Sequence, residues 1–330
     1  MSNKTQLQEN NIILDDIIMT INETKDIAAS LPEAGSGGGS TDVENGIIDG
    51  TLTTYTNDRV TSVRNYAFRE CTNLTSANFP AATTIGNSAF AFCSSLTSVS
   101  FPAATTIGSC AFTYCRSLST VNFPAVTTIY SGAFQSCSSL TSVSFSTAKE
   151  IIGDAFRFCY SLIYISFPVA TTIGSSAFAN CNSLISANFP AVTIIDYCAL
   201  MLCVKLTSAN FPVATTIGKS AFHSCRSLIS VSFPAATIIS SSAFCSCTSL
   251  TSVSFPAATT IGNSAFYNCS NLTSIYITAS TVCSLDASGA FSKTGIWSTT
   301  GSIYVPSSLV ASYKAATNWA FFSDRIFSAP

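Results

Sequence analysis

Apolar residues return along this chain every 22 positions, a period far longer than that of a helix or a strand. Leu stands at 74, 96, 118 and on through 272, and Val, Ile or Ala follows three residues later, as at Val99, Val121 and Ile165. Phe comes two after that (Phe79, Phe101, Phe123), Ile or Val six later (Ile85, Ile107), and a second Phe at 68, 90, 112 and onward, with Leu200 substituting once. The positions between are mostly Ser, Thr and Asn. The V-x-F step has period two and predicts a short strand with both apolar side chains inward. Pro directly after it ends the strand, because Pro cannot donate to a ladder. The Ile-Gly step predicts a turn in which Gly takes positive φ. The A-F-x-x-C stretch has helical spacing and predicts a single helical or 3-10 turn.

One such unit cannot bury its own Leu, Val, Ile and two Phe. It must stack on its copies, and a parallel sheet and an aromatic core then form together. The expectation is a repeat solenoid of about ten rungs over residues 67–277, with a parallel β-sheet on one face and short helical or 3-10 turns on the other. At ~4.8 Å per rung the body is roughly 50 Å long.

The ends break the pattern. Leu52 and Tyr55 take the Leu and Val places of a partial first rung, and residues 44–66 are expected to cap the solenoid. Beyond residue 277 the register slips through an insertion, until Ile303-Tyr304-Val305-Pro306 repeats the strand step. Residues 278–330 are then read as a C-terminal cap with a helix over 307–319, sealed by Trp297, Trp319, Phe321 and Phe322. Residues 1–34 differ in kind. Leu7, Leu14, Ile21 and Ala28 are spaced by seven, with Asn10, Ile17, Thr24 and Leu31 in a second row, and Pro32 ends the run. This a/d pattern predicts an N-terminal helix that oligomerises, a trimer by the width of its stripe, or that docks on a partner. A lone amphipathic helix packed on the first rung is the alternative. Residues 35–43 read as a Gly/Ser linker.

Cysteine changes this picture little. Fourteen are present, but ten of them, including Cys93, Cys115, Cys137, Cys159 and Cys181, are one position of the repeat. Stacked rungs bring them to about 5 Å, yet parallel Cβ vectors suit a disulfide badly. They are read as a ladder of buried thiols serving as small hydrophobes. Cys110, Cys198, Cys245 and Cys283 lie off the ladder and are expected at the surface. With one His and no C-x-x-C, zinc is not expected, and no phosphate-loop or metal motif points to any cofactor.

Charge is sparse, at 9% of residues, and divides unevenly. Residues 1–50 hold two basic and nine acidic side chains, and the remainder twelve basic and seven acidic. None cluster, so no nucleic-acid partner is expected. No apolar run reaches the length of a membrane span. The opening MSNKTQLQENN has no apolar core of a secretory signal. The location expected is therefore a virion, or a cell surface reached by a route the sequence does not show.

The steps L-x-x-V-x-F-P and I-G-x-x-A-F-x-x-C resemble the BspA-like (Treponema pallidum type) leucine-rich repeat, over roughly residues 52–277. The usual unit of that family is one residue longer. The resemblance implies a leucine-rich-repeat solenoid without enzymatic activity, of the kind bacterial and protist surface proteins use to adhere to host proteins and other cells.

Variation concentrates around A-F and Cys, in pairs such as Arg69-Glu70, Thr113-Tyr114, Arg157-Phe158, His223-Ser224 and Tyr267-Asn268, and just after Cys. Tyr, Arg, Ser and Asn there form a recognition alphabet. The candidate ligand face is Phe92, Tyr114, Arg116, Phe158, Tyr160, Arg226 and Tyr267. Drift on a solvated face explains the same variety. The competing face is the strand side, flat, uncharged and rich in Ser and Thr, able to hydrogen-bond a glycan or a neighbouring sheet. Seven scattered acids beyond residue 50 and one His, expected to be exposed, offer no convergent catalytic group. Three non-enzymatic readings follow. The first is a phage-type fibre or receptor-binding protein, favoured by the heptads and tether, with a cell-surface protein or glycan as partner. The others are a bacterial or protist surface adhesin and a self-assembling coat or filament.

Overall fold

The structure, a computed structural model, describes residues 52–298 and 300–330. The heptads of residues 1–34, the linker 35–43 and the first part of the predicted N-terminal cap lie outside the described residues. The rest is a parallel β-solenoid. Each rung contributes one strand of three residues, such as Ser98–Ser100, and one of two residues, such as Thr106–Ile107. Pairing between rungs is parallel and offset by one repeat, as in Val99 with Val121 and Ile107 with Ile129.

The two-residue strands form one unbroken sheet of eleven, from Ser62–Val63 to Ser284–Leu285. The three-residue strands form sheets of four, four and five. Their pairing lapses after Thr120–Asn122 and after Ser208–Asn210. At those lapses the inward rings Phe123 and Phe145 stand 6.1 Å apart, and Phe211 and Phe233 5.9 Å, while on paired strands the spacing runs from 5.0 Å for Phe79 and Phe101 to 6.0 Å for Phe233 and Phe255. The continuous sheet keeps the rungs in register across both.

Two phenylalanine columns fill the interior. Phe90 stacks on Phe112 at 5.2 Å and 8°, and meets Phe101 of the other column edge-on at 5.8 Å and 72°. Rings stacked along each column and tilted between columns satisfy the aromatic quadrupole, worth about 0.5–1.5 kcal/mol per pair beyond burial. Leu200 interrupts the second column yet is fully buried.

Three predictions are corrected here. The A-F-x-x-C stretch is not helical. Ala89, Ala91 and Cys93 donate their N–H locally to Gly86, Ser88 and Phe90, while Ser88, Phe90 and Phe92 donate to Ser109, Ala111 and Thr113 of the next rung. Positive φ at Ser88 (51°) and Phe92 (64°) turns alternate N–H groups outward. A helix would spend every donor inside its own rung and leave the next rung's buried carbonyls unpaired. The Gly after Ile is not there for positive φ either. A Cβ on Gly108 would lie 2.7 Å from the Gly86 carbonyl carbon, so this Gly permits close approach of rungs.

The C-terminal helix is also shorter than predicted. A 3-10 turn at Ser307–Leu309 leads into an α-helix over Val310–Ala315, and Ala316 is extended. Positive φ at Asn318 then reverses the chain into a 3-10 segment, Ala320–Arg325. Both ends continue the rungs. Thr54–Thr56 pairs with Ser76–Asn78, Leu285 with Ile261, and Phe291 stacks on Phe266 at 5.5 Å. Ser302–Val305 and finally Ile326–Ser328 extend the three-residue sheet. Trp319, Tyr313 and Phe322 are buried under this end, with Trp319 Nε1 donating to the Cys283 carbonyl at 2.7 Å. Trp297 and Phe321 instead stack on each other at the surface, 4.8 Å apart.

Candidate ligand face

The turn side carries the variable residues, and its backbone decides where they point. Each rung has two positions of positive φ, four residues apart. Such a backbone suits Gly or Asn, and a bulky side chain there costs about 1–2 kcal/mol. Asn180 and Asn268 meet that preference, whereas Phe92 (φ 64°), Tyr114 (59°), Phe158 (63°) and Leu202 (62°) go against it. Three of these four are predicted ligand residues.

Arginines cover the aromatic rings. Phe92 and Tyr114 stack at 5.1 Å and 7°. The Arg69 guanidinium lies 5.6 Å from the Phe92 ring and that of Arg116 5.4 Å from Tyr114. Arg157 lies 4.7 Å from Phe158, whose ring meets Tyr160 at 6.0 Å. Tyr160 is 45% exposed and Arg116 is exposed. Arg69 pairs with Glu70 at 3.4 Å and Arg157 with Asp154 at 3.2 Å. Among the described residues Arg116 has no carboxylate partner.

The predicted set is not one patch. Gln135 and Ser136 stand between the Phe92–Tyr114 pair and the Phe158–Tyr160 pair, two rung spacings or roughly 10 Å. Arg226 lies three rungs beyond Tyr160 on the repeat. Tyr267 stands near the far end under Lys293, 5.0 Å away. Sequence reasoning passed over Arg69 and Arg157, though both occupy the variable pair it had singled out. The strand side, expected to be flat and rich in Ser and Thr, carries apolar interruptions. Ile163, Tyr164, Ile185 and Ile229 interrupt the Ser/Thr rows there, and Tyr164 and Ile229 are 57% and 55% exposed. A comparison of outward positions rung by rung would have found them. On the second sheet a groove of about 430 Å³ is lined by Glu150, Ile152, Gly153, Gly174, Ser175 and Asp196.

The ladder cysteines are buried and also make hydrogen bonds. Nine ladder thiols donate to the main-chain carbonyl at the second-Phe position one rung back, Cys93 to Phe68 at 2.9 Å and Cys137 to Phe112 at 3.1 Å among them. They are donors as well as space-fillers. Burial holds the thiols of Cys115, Cys137 and Cys181 above the usual range and pushes Cys159 and Cys203 up to about 12. The off-ladder cysteines are not at the surface. Cys198, Cys245 and Cys283 are buried and Cys110 is half-buried, because the turn positions they occupy pack between rungs or, for Cys283, under the C-terminal end. His223 is half-buried rather than exposed, and burial, then the charge of Arg226, lowers its pKa. Among the described residues no three His, Cys, Asp or Glu side chains group to hold a metal. No described helix is long and apolar enough to cross a membrane.

No curated protein matches the chain. Among solved structures, a leucine rich cell surface protein of Faecalibacterium prausnitzii is 26% identical over 70% of this chain and 80% of its own, with a TM-score of 0.39. A leucine-rich repeat protein of Bacteroides ovatus is 23% identical over 68% and 78%, with a TM-score of 0.37. The T. pallidum leucine rich repeat protein is 21% identical over 66% and 82%, with a TM-score of 0.32. The profile of the BspA type leucine rich repeat region matches residues 61–185 and 171–297. The chain therefore belongs to the BspA-type leucine-rich repeat family.

Proposed function

We propose that the protein is a non-enzymatic adhesion protein of a cell or particle surface, which binds a surface protein through the turn side of its N-terminal half. The observation that carries this reading is the bulky aromatic side chain at positive φ. Phe92, Tyr114 and Phe158 strain the backbone where Ser or Asn serves other rungs, and each lies under an arginine. Strain that folding does not require points to function. Tyr, Phe and Arg are the side chains enriched at protein interfaces. The similarity to a cell surface protein of F. prausnitzii supports the location.

The test replaces Tyr114 by Ser, Phe158 by Asn and Tyr160 by Asn, residue types that other rungs carry at those positions. Cell binding should fall at least tenfold while the thermal midpoint holds or rises. Undiminished binding by the triple variant would remove the reading.

A fibre version of the same reading rests on the heptads of Leu7, Leu14, Ile17, Ile21 and Leu31. It predicts a trimer for residues 1–330 and a monomer for residues 42–330 by light scattering. A full-length monomer would leave the adhesin without a stalk.

A further inference from the structure

The three-residue strands present two outward rows. One runs through Ser76, Ser98, Thr120 and their equivalents, the other through Asn78, Ser100, Asn122 and theirs. From Thr56 to Ser254 the second row holds only Thr, Asn and Ser. It then changes abruptly, to Tyr276, Tyr304 and Phe327 on three successive paired strands. Tyr276 and Tyr304 stack at 4.8 Å and 15°, and Phe327 follows at 6.5 Å.

The fold does not need these rings. Ile275, Ile303 and Ile326, the inward residues of the same strands, are buried and do the packing. Among the described residues neither phenol hydroxyl has a hydrogen-bond partner, and Phe327 is 47% exposed. Tyr276 and Tyr304 are half-buried and Phe327 is exposed, so the row shows solvent an aromatic edge and face on a surface otherwise built of hydroxyls and amides, which marks a contact site.

We infer that Tyr276, Tyr304 and Phe327 form a platform for the apolar face of a neutral saccharide chain, a site on a different side from the aromatic-arginine turns. The neighbouring chemistry selects this ligand. No charged residue occupies an outward place on these strands from Thr54 to Val305. The nearby Arg325 is turned away, its Nη1 donating to the Ile296 carbonyl at 3.0 Å. A nucleic acid would stack its bases here but needs cations for its phosphates. Protein interfaces draw on arginine as well as aromatic rings and are poor in Ser, whereas this row has Ser beside its rings and, among the described residues, no arginine over them. A pyranose presents a face of C–H groups to an aromatic ring and neutral hydroxyls at its edge. Ser252, Ser254, Ser274 and Ser302 beside the rings match those hydroxyls. Three rings in line along the solenoid fit a chain of sugars rather than one.

The experiment is native affinity electrophoresis of the full chain in gels containing hydroxyethylcellulose, galactomannan, dextran or, as an anionic control, heparin. At least one neutral polysaccharide should retard the protein. Tyr304→Ser and Phe327→Ser, which install the residue type of other rungs, should weaken that retardation at least tenfold. Phe158→Asn should leave it unchanged, which separates this site from the turn face. Tyr304→Trp should keep it, so that loss in the Ser variants cannot be laid to misfolding. Retardation by heparin alone, by no polysaccharide, or equally in Tyr304→Ser would overturn the inference.

Discussion

At the scale of single residues, the repeated cysteine shows how one position serves packing and polarity together. The carbonyl at each second-Phe position already accepts the local Cys N–H, as Phe90 does from Cys93 at 3.2 Å, and also takes the thiol of Cys115 at 3.0 Å. A thiol is small enough for the gap between rungs and can still donate. The consequence is a pH limit. In the unfolded chain these thiols ionise near 9.0, whereas burial keeps Cys159 and Cys203 neutral up to about 12. A folded pKa above the unfolded one contributes stability that is complete below pH 9 and is lost as pH rises toward 12. The urea midpoint should hold from pH 7 to 8.5 and fall steeply by pH 10.5. Cys159→Ala with Cys203→Ala should flatten that fall, and an unchanged alkaline slope would contradict the account. At neutral pH a thiol reagent should reach none of the ladder cysteines until denaturant is added.

At the scale of elements, the sheet of two-residue strands succeeds because each strand is short and its neighbours are near-copies. Parallel pairing of two residues is weak alone, but eleven such strands in register are held by the phenylalanine columns behind them. Close approach at the Gly positions is part of this. Gly108→Ala would place Cβ 2.7 Å from the preceding rung's backbone, and the rungs must part to admit it. The expected cost is ~1–3 kcal/mol, read as a lowered denaturation midpoint. Tyr130, Ile152, Asp196 and Ser240 stand at the equivalent position of other rungs, so the close approach at Gly is not common to all of them. Glu150, Ile152 and Gly153 line the groove on that sheet, where the replaced Gly and the spacing of the rungs meet.

At the scale of the molecule, stability is carried from rung to rung and not by one closed core. Removing one whole unit, residues 97–118, should leave a folded solenoid one rung shorter, since Leu96 would meet Ser119 as it now meets Thr97. Removing half a unit should destabilise the solenoid strongly, because the joining rung would lack half of its inward side chains and could stack on neither neighbour. Circular dichroism and gel filtration of the two deletions distinguish the cases, and equal behaviour would contradict rung-by-rung packing.

Much of this was legible without coordinates. The 22-residue period determined the solenoid, the inward Leu, Ile and Phe, and the parallel register, because an apolar set that one unit cannot bury forces copies to stack. The same period pointed to the turns as the place of variation. It did not reveal what the turns are. Helical spacing of A-F-x-x-C looks the same whether donors close within the rung or reach the next, and only stacking makes the second choice the better one. For the same reason the burial of Cys198 and Cys245, the role of Gly108, and the further rung from Leu285 to Phe291 were decided by contacts between rungs. The sequence named Phe92, Tyr114, Phe158 and Tyr160 as variable. Only the tertiary structure divided them into two pairs, set arginines over their rings and aligned Tyr276, Tyr304 and Phe327 on one row. Those distances depend on which residues become neighbours across the repeat, and a linear chain does not display them.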